Sequence, residues 1–334
     1  MAKKTRVAIN GFGRIGRSAF KIMLESPARY QVVAINDLAP AENLAYLLKY
    51  DTVYGRYDKK VGSAGSNIVV SGRKYAVTAV PDPLKLPWKK MRIDVVLECT
   101  GLFVKDNKAA AHIKAGAKHV IVSAPVKGGD IATYLLGVNE RKLKNDKVIS
   151  NASCTTNCIA PVAKVMVDKF GVDKAMMTTI HSYTADQRLV DAPHKDARRG
   201  RSAAQNIVPT TTGAASALGA VIPELQGLFD GLSLRVPTAV VSLADFTFLL
   251  KKKVTVRQVN NALISASNSQ AMKGILGVTN DAVVSSDFIG DARSSIVDLS
   301  LTNVVGGNLV KIIAWYDNEW GYANRLVEMI REFD

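Results

Sequence analysis

Near its amino end the chain passes from a short apolar run, Val7 to Ile9, through a glycine-rich turn to apolar positions Ile15, Ala19, Ile22 and Met23, which recur at the spacing of one helix face. A second apolar run, "YQVVAIND", follows and ends on Asp37. "RIDVVLECTG" and "AKHVIVSAP" are two more, separated by "VKDNKAAAHIKAGA", whose composition predicts a helix over 104–117, and a further apolar run lies near "KVISN". Runs that are apolar at every position, rather than at every second one, belong to strands covered on both faces. Alternating with helices, they predict an α/β fold, a Rossmann-type doubly wound parallel sheet. "NIVVSGRKYAVTAVPDPLKLPW" reads as an antiparallel hairpin, an insertion without chemistry.

The glycine turn spells G-x-G-x-x-G at Gly11, Gly13 and Gly16, between a strand and a helix. In that setting Gly11 permits the tight turn, Gly13 lets backbone approach a pyrophosphate, and Gly16 lets the helix pack close to the strand. Arg14 and Ile15, at the start of the helix, complete the expected cofactor-binding loop. Asp37 stands about twenty residues beyond Gly16, where a carboxylate accepts hydrogen bonds from a ribose and repels a 2'-phosphate. That spacing favours NAD over NADP, and favours a ribose contact over a capping role for Asp37 at a helix near Ala41. Thr100, Gly101 and Ser123 fall at the carboxyl ends of predicted strands, where wound sheets bind ligands.

At 334 residues the chain exceeds a single core, so two domains are expected. Apolar residues make up 48% and charged residues 22%, an ordinary globular balance with no repeat and no low-complexity tract. The opening "MAKKTRVAIN" goes from basic residues straight into a strand, and no apolar run is long enough to span a bilayer. A cytoplasmic protein without membrane association is expected. Cys99, Cys154 and Cys158 are too few for a disulfide framework, so a special cysteine should work as a thiol. The net charge of +15 suits anionic partners, whether small phosphorylated ligands, membrane or nucleic acid.

Two of the three cysteines lie in "NASCTTNC", the most hydroxyl-rich stretch of the chain. The following "CTTNCIAPVAKVMVDKF" has helical periodicity, which puts Cys154 at a helix N-terminus, where free N–H groups and the dipole stabilise a thiolate and an oxyanion. Ser153, Thr155, Thr156 and Asn157 crowd it with groups suited to charged oxygens. Cys158, one turn on, is expected to pack, and no CxxC or nearby histidine pair supports a metal site. A thiol nucleophile needs a base. His112, His119 and His194 read as structural or solvated, whereas His181 ends the apolar strand "KAMMTTIHSYT" just before a loop. From the residues alone the Cys154–His181 pairing stays open.

With "INGFGRIGR", "NASCTTNCIAP", "HSYTADQ", "PTTTGAA", "LRVPT" and "WYDNEWGY" in this order, the chain resembles the phosphorylating glyceraldehyde-3-phosphate dehydrogenases over essentially its whole length. The resemblance implies a cofactor-binding domain over 1–153, completed by a final helix in 318–334, and an α+β catalytic domain over 154–317 with a mixed, largely antiparallel sheet. It implies that Cys154 attacks the aldehyde of glyceraldehyde 3-phosphate, that His181 takes the proton, and that inorganic phosphate releases the resulting thioester as 1,3-bisphosphoglycerate, a step of glycolysis and gluconeogenesis. By the same resemblance Thr184 and Arg235 hold the substrate phosphate, and Ser153, Thr155, Thr212, Gly213 and Arg201 serve the phosphate sites. Asn318 orients the nicotinamide of NAD and Tyr322 lies beside it. The segment "DQRLVDAPHKDARRGRSAAQNIVP" resembles a family loop that crosses a subunit interface, which implies a homotetramer.

Three positions depart from the family pattern. Ala192 replaces the leucine usual in NAD-specific members, Ala185 replaces a frequent asparagine, and "AVPDP" lacks an arginine before its Asp-Pro. The first is a mixed signal on NADP use; Asp37 with Leu38 still favours NAD. The rival within the fold is erythrose-4-phosphate dehydrogenase, against which Thr184 argues. A nucleic-acid-binding protein on the same fold is a rival of another class, and as a sole function it is opposed by intact catalytic motifs and by lysines scattered through "WKKMR", "KLKNDK" and "KKK".

Overall fold

The computed structural model describes residues 4–333; Met1 to Lys3 of the basic opening, and Asp334, lie outside them. The chain forms two compact units. The first comprises Met1–Tyr134, Arg141–Ala152 and Ala323–Asp334, and the second Leu135–Glu140 and Ser153–Tyr322. From the sequence, 135–140 and 318–322 are expected with the cofactor domain; in the fold both go with the second unit.

The first unit is built on a nine-stranded sheet. Six of its strands, Arg73–Thr78, Tyr30–Asn36, Thr5–Asn10, Val95–Glu98, His119–Val122 and Val148–Ser150, lie side by side in that order and all run parallel. The order reverses beside Thr5–Asn10, which makes the carboxyl ends of Thr5–Asn10 and Val95–Glu98 the switch point of the sheet. Val7, Ala8, Ile9, Val95, Val96 and Leu97 are fully buried, as continuous apolar runs require.

Two expectations need correction. The 67–88 segment does contain an antiparallel hairpin, Asn67–Val70 against Arg73–Thr78, but it is not set apart. Arg73–Thr78 is also a parallel neighbour of Tyr30–Asn36, and Val80 beyond it exchanges hydrogen bonds with the Asn36 side chain. The helix over 104–117 shrinks to a 3-10 turn, Lys108–Ala110, and one short helical turn, Ala111–Lys114. Asn107 and Gly116 adopt left-handed backbone on either side, with φ of 59° and 103°, and a helix cannot continue through such residues.

The glycine loop is fixed by contact. A Cβ on Gly11, whose φ is +90°, would lie 2.8 Å from the Thr100 backbone nitrogen. One on Gly16 would run into the Gly11 carbonyl oxygen, so the helix Arg14–Glu25 keeps its close approach only with glycine there. The chain ends with the helix Trp320–Glu328 and a 3-10 turn, Met329–Phe333. Within the first unit Tyr30 Oη donates to the Val327 carbonyl at 3.3 Å, and Phe333 stacks on His119 at 4.2 Å.

The second unit holds an eight-stranded sheet, mixed and largely antiparallel. At its centre Val172–Ser182 runs antiparallel to Ser242–Leu250 and parallel to Phe229–Val236, in a register that sets His181 beside Arg235. Leu309–Tyr316 pairs with the far side of Ser242–Leu250. The helix Cys154–Phe170 packs against this sheet. Among the described residues, no helix is long and apolar enough to cross a membrane.

Candidate active site

Cys154 is the first residue of its helix. The preceding Ala152 takes a left-handed φ of 52°, a sharp turn that brings the chain from strand into helix. Ser153 caps the helix: its Oγ accepts from the Thr156 N–H at 3.1 Å and lies 2.8 Å from Thr156 Oγ1. The opening turn therefore offers unpaired N–H groups beside the sulfur.

His181 reaches the same place from the end of its strand, with Nε2 3.5 Å from Cys154 Sγ. Its Nδ1 lies 2.7 Å from the Ser182 carbonyl oxygen, an acceptor, and 2.8 Å from Arg235 Nη1, a donor; the tautomer with its proton on Nδ1 is the one that turns the Nε2 lone pair toward the thiol. The strand register accounts for the third member. Arg235 Nη1 donates to the Ser182 carbonyl at 3.0 Å and lies 2.8 Å from His181 Nδ1. Arg235 Nε is buried with no partner, a donor left for an anion.

Burial pushes the Cys154 thiol above its ordinary value. Arg235 opposes burial most strongly, followed by hydrogen bonds from Thr155 and the first backbone N–H groups. Burial, then Arg235, drives His181 down to about 3. Burial and Arg235 thus favour the uncharged imidazole and weaken it as a base.

Tyr316, which sequence reading missed, ties the pair to the sheet. Its Oη lies 3.0 Å from Thr155 Oγ1 and 2.8 Å from Thr179 Oγ1, and its ring meets His181 edge-on at 6.0 Å. Thr155 is thereby engaged inside the fold and 4% exposed, so the structure gives it a supporting place rather than an open anion site. Tyr316 stands within the quoted "WYDNEWGY", but its strand, LVKIIAWY, is apolar at nearly every position, so no periodicity singles it out. Asn318 follows. Its Oδ1 accepts from Ser182 Oγ at 2.9 Å and Ser242 Oγ at 3.0 Å, which fixes the amide and directs its Nδ2 elsewhere. Tyr322 is buried in the helix after it.

Thr184 lines a small cavity with Tyr183, Gln187, Leu189 and Ala203, and both polar atoms of the buried Gln187 amide lack partners. Thr212 and Gly213 open the helix Ala214–Val221, with Gly213 as its N-cap residue. Arg201 requires a correction. It lies on the surface in an ion pair with Asp191 at 2.7 Å. Arg199, two residues earlier, is the arginine turned toward this turn: Nε donates to Thr210 Oγ1 at 2.8 Å, Nη2 to the Thr211 carbonyl at 3.2 Å, and the guanidinium pairs with Asp186. The loop has no regular period, so spacing alone could not choose between the two.

In the first unit, Gly11, Gly13, Asp37, Pro81, Thr100 and Phe103 line a cleft of about 370 Å³ at the switch point. Gly13 is exposed, and open space surrounds the position of a Cβ there. Asp37 Oδ2 accepts from the Phe12 N–H at 2.7 Å and Oδ1 from the Ala39 N–H at 3.0 Å, which holds the carboxylate in one orientation. This cradle fits the adenosine half of a dinucleotide. Ser123 lies at the end of its strand with its N–H bonded to the Glu98 carbonyl, Ile15 is half-buried in the glycine-loop helix, and Arg14 pairs with Asp51 at 2.7 Å.

Comparison with known proteins gives the same organisation a family. Residues 5–106 match the family model described as glyceraldehyde 3-phosphate dehydrogenase, NAD binding domain, and residues 153–318 match the one described as its C-terminal domain. Similar curated proteins include glyceraldehyde-3-phosphate dehydrogenase of Priestia megaterium, 53% identical over 326 residues, and glyceraldehyde-3-phosphate dehydrogenase 1 of Bacillus subtilis, 52% identical over 326 residues. The enzyme of Geobacillus stearothermophilus is 51% identical over 326 residues; in each case the match covers 97% of this chain and 96% of the relative. With both family models matched and half of all positions shared along nearly its full length, the chain belongs to the glyceraldehyde-3-phosphate dehydrogenase family.

Proposed function

We propose that the chain oxidises glyceraldehyde 3-phosphate, with NAD and inorganic phosphate, to 1,3-bisphosphoglycerate. The observation that carries the residue roles is the 3.5 Å approach of Cys154 Sγ to Nε2 of His181. Cys154 Sγ adds to the aldehyde carbon while its proton passes to His181, which returns it to the carbonyl oxygen, giving a thiohemiacetal. When bound, NAD supplies the hydride acceptor. His181 takes the hydroxyl proton as the carbon is oxidised, leaving an acyl thioester on Cys154. Phosphate oxygen then attacks the acyl carbon, the C–S bond breaks, and the thiolate is reprotonated. A thioester retains more of the oxidation energy for phosphate transfer than an oxygen ester would, which is why sulfur rather than a serine oxygen stands here.

Arg235 and Thr184 are proposed to hold the substrate phosphate, and Ser153, Thr212, Gly213 and Arg199 the attacking one. Arg235 then has a second effect. A phosphate dianion beside it offsets the positive charge that depresses His181, so the imidazole becomes a stronger base when substrate arrives. Gly11, Gly13 and Asp37 are proposed to carry the adenosine half of NAD, and Asn318 its carboxamide.

A homotetramer in the cytoplasm completes the reading. Its support is the high exposure of Leu189 (77%), Val190 (70%) and Ile207 (68%) on the segment that resembles an interface loop, and the absence of any disulfide among the three cysteines. Steady-state kinetics with NAD and NADP, with and without phosphate, test the reading. Turnover should require phosphate and prefer NAD, and Cys154→Ser should bind NAD yet lose about four or more orders of magnitude in kcat. Phosphate-independent turnover, or an active Cys154→Ser variant, would refute it.

A further inference from the structure

At the switch-point cleft lies a network of polar groups, buried at its centre, that reaches the cleft wall at Asn10, Asn36 and Thr100. At its centre is Glu98, 1% exposed, at the carboxyl end of the strand Val95–Glu98. Four donors converge on its carboxylate. Oε1 accepts from the Thr100 N–H at 2.8 Å and from Thr100 Oγ1 at 2.5 Å. Oε2 accepts from Asn10 Nδ2 at 2.5 Å and from His112 Nε2 at 2.8 Å. His112, fully buried, must carry its proton on Nε2, because Trp88 Nε1 can only donate and points at Nδ1 from 3.0 Å. The indole therefore locks the neutral tautomer that serves the carboxylate. The network continues toward the cleft: Asn10 Oδ1 accepts from Asn36 Nδ2 at 2.7 Å, and Asn36 Oδ1 accepts from Thr78 Oγ1 at 2.8 Å and the Val80 N–H at 3.0 Å.

Each outer member of this network adjoins one wall of the cleft. Asn10 precedes Gly11, and Thr100 is the residue whose backbone nitrogen a Gly11 Cβ would strike. Asn36 precedes Asp37, and Val80 leads into Pro81. Burying a carboxylate with no cationic partner is costly, and apolar groups of similar volume would fill the space at less expense in free energy. What the carboxylate adds is geometry. One rigid acceptor with four directed bonds sets the spacing between the glycine loop and Thr100, and through Asn36 ties in the strand end that bears Asp37.

We infer that Glu98 is a positioning residue, the hub that holds the walls of the dinucleotide cleft at the separation NAD requires, with His112 and Trp88 as its orienting support. This inference rests on the NAD reading above. The test is equilibrium binding of NAD, by calorimetry, to wild type and to Glu98→Gln, which keeps the volume but turns an amide N–H toward groups that are already donors. The variant should bind NAD at least fivefold more weakly, while Cys154 in the second unit is alkylated at the wild-type rate. A purely structural role would lower the melting temperature without moving the affinity of the folded protein, so a change below fivefold overturns the inference. Should Glu98→Gln not fold, the wild-type protein decides, because four histidines give a simple nitrogen-15 spectrum. His112 should be protonated at Nε2, and its resonance should shift on saturation with NAD although the ring lies outside the cleft. A proton on Nδ1, or an unmoved resonance, overturns the proposal. Wild-type protein that binds no NAD removes the cofactor reading itself.

Discussion

Arg235 acts on both members of the thiol–imidazole pair. Its charge lowers the Cys154 pKa, which favours the nucleophile, and lowers that of His181, which weakens the base. Replacement by an uncharged residue removes a positive charge that stabilises thiolate and leaves burial unopposed by it, so the thiol pKa moves further up. In Arg235→Leu, the pH at which Cys154 alkylation is half-maximal should rise above the wild-type midpoint, with slower alkylation at pH 7. Iodoacetamide kinetics from pH 6 to 10 measure this without involving the substrate phosphate, and an unchanged or lower midpoint would contradict the assignment. At this scale the sequence is uneven as a guide. Cys154 and His181 stand out by neighbours and by position at strand and helix ends. Arg199 and Arg201 do not, since two arginines in an aperiodic loop differ only in which way the folded chain turns them.

The glycine loop shows how one element depends on a missing side chain. A methyl group at Gly16 would meet the backbone carbonyl of Gly11, which cannot rotate aside as a flexible side chain can. Gly16→Ala should therefore push the helix Arg14–Glu25 off the sheet, cost about 1–3 kcal/mol of stability, and weaken NAD binding more than tenfold. Urea unfolding and NAD titration check the two parts separately, and wild-type values in both would show that the loop has room. Parallel strands, apolar along their whole length, were readable because covering both faces leaves no polar alternation. Arg73–Thr78 was not. Its neighbours pair with it antiparallel on one side and parallel on the other, and local pattern reports only the hairpin. The 104–117 helix failed for a related reason, because composition favours helix while left-handed Asn107 and Gly116 end it.

For the molecule as a whole the surplus charge is the leading feature. Part of it gathers far from the cysteine in sequence: Arg6, Lys89, Lys90, Arg92 and Lys118 line a cleft of about 650 Å³ in the first unit, with Asp94 the one carboxylate among them. Aldehyde phosphate, inorganic phosphate and dinucleotide are all anions, so a net charge of +15 should raise their encounter rates at low salt. kcat/KM for glyceraldehyde 3-phosphate should accordingly fall on the order of tenfold between dilute buffer and ~0.5 M salt, as the screening length shrinks. A flat profile would confine the role of the charge to solubility.

The first unit gathers three separated stretches of chain, the last of them Ala323–Asp334. Tyr30 and His119 meet Val327 and Phe333, residues translated some two hundred or more codons later. On the ribosome, then, a wound sheet whose strands emerge early must wait with part of its surface uncovered until the helix Trp320–Glu328 and the turn after it have left the exit tunnel.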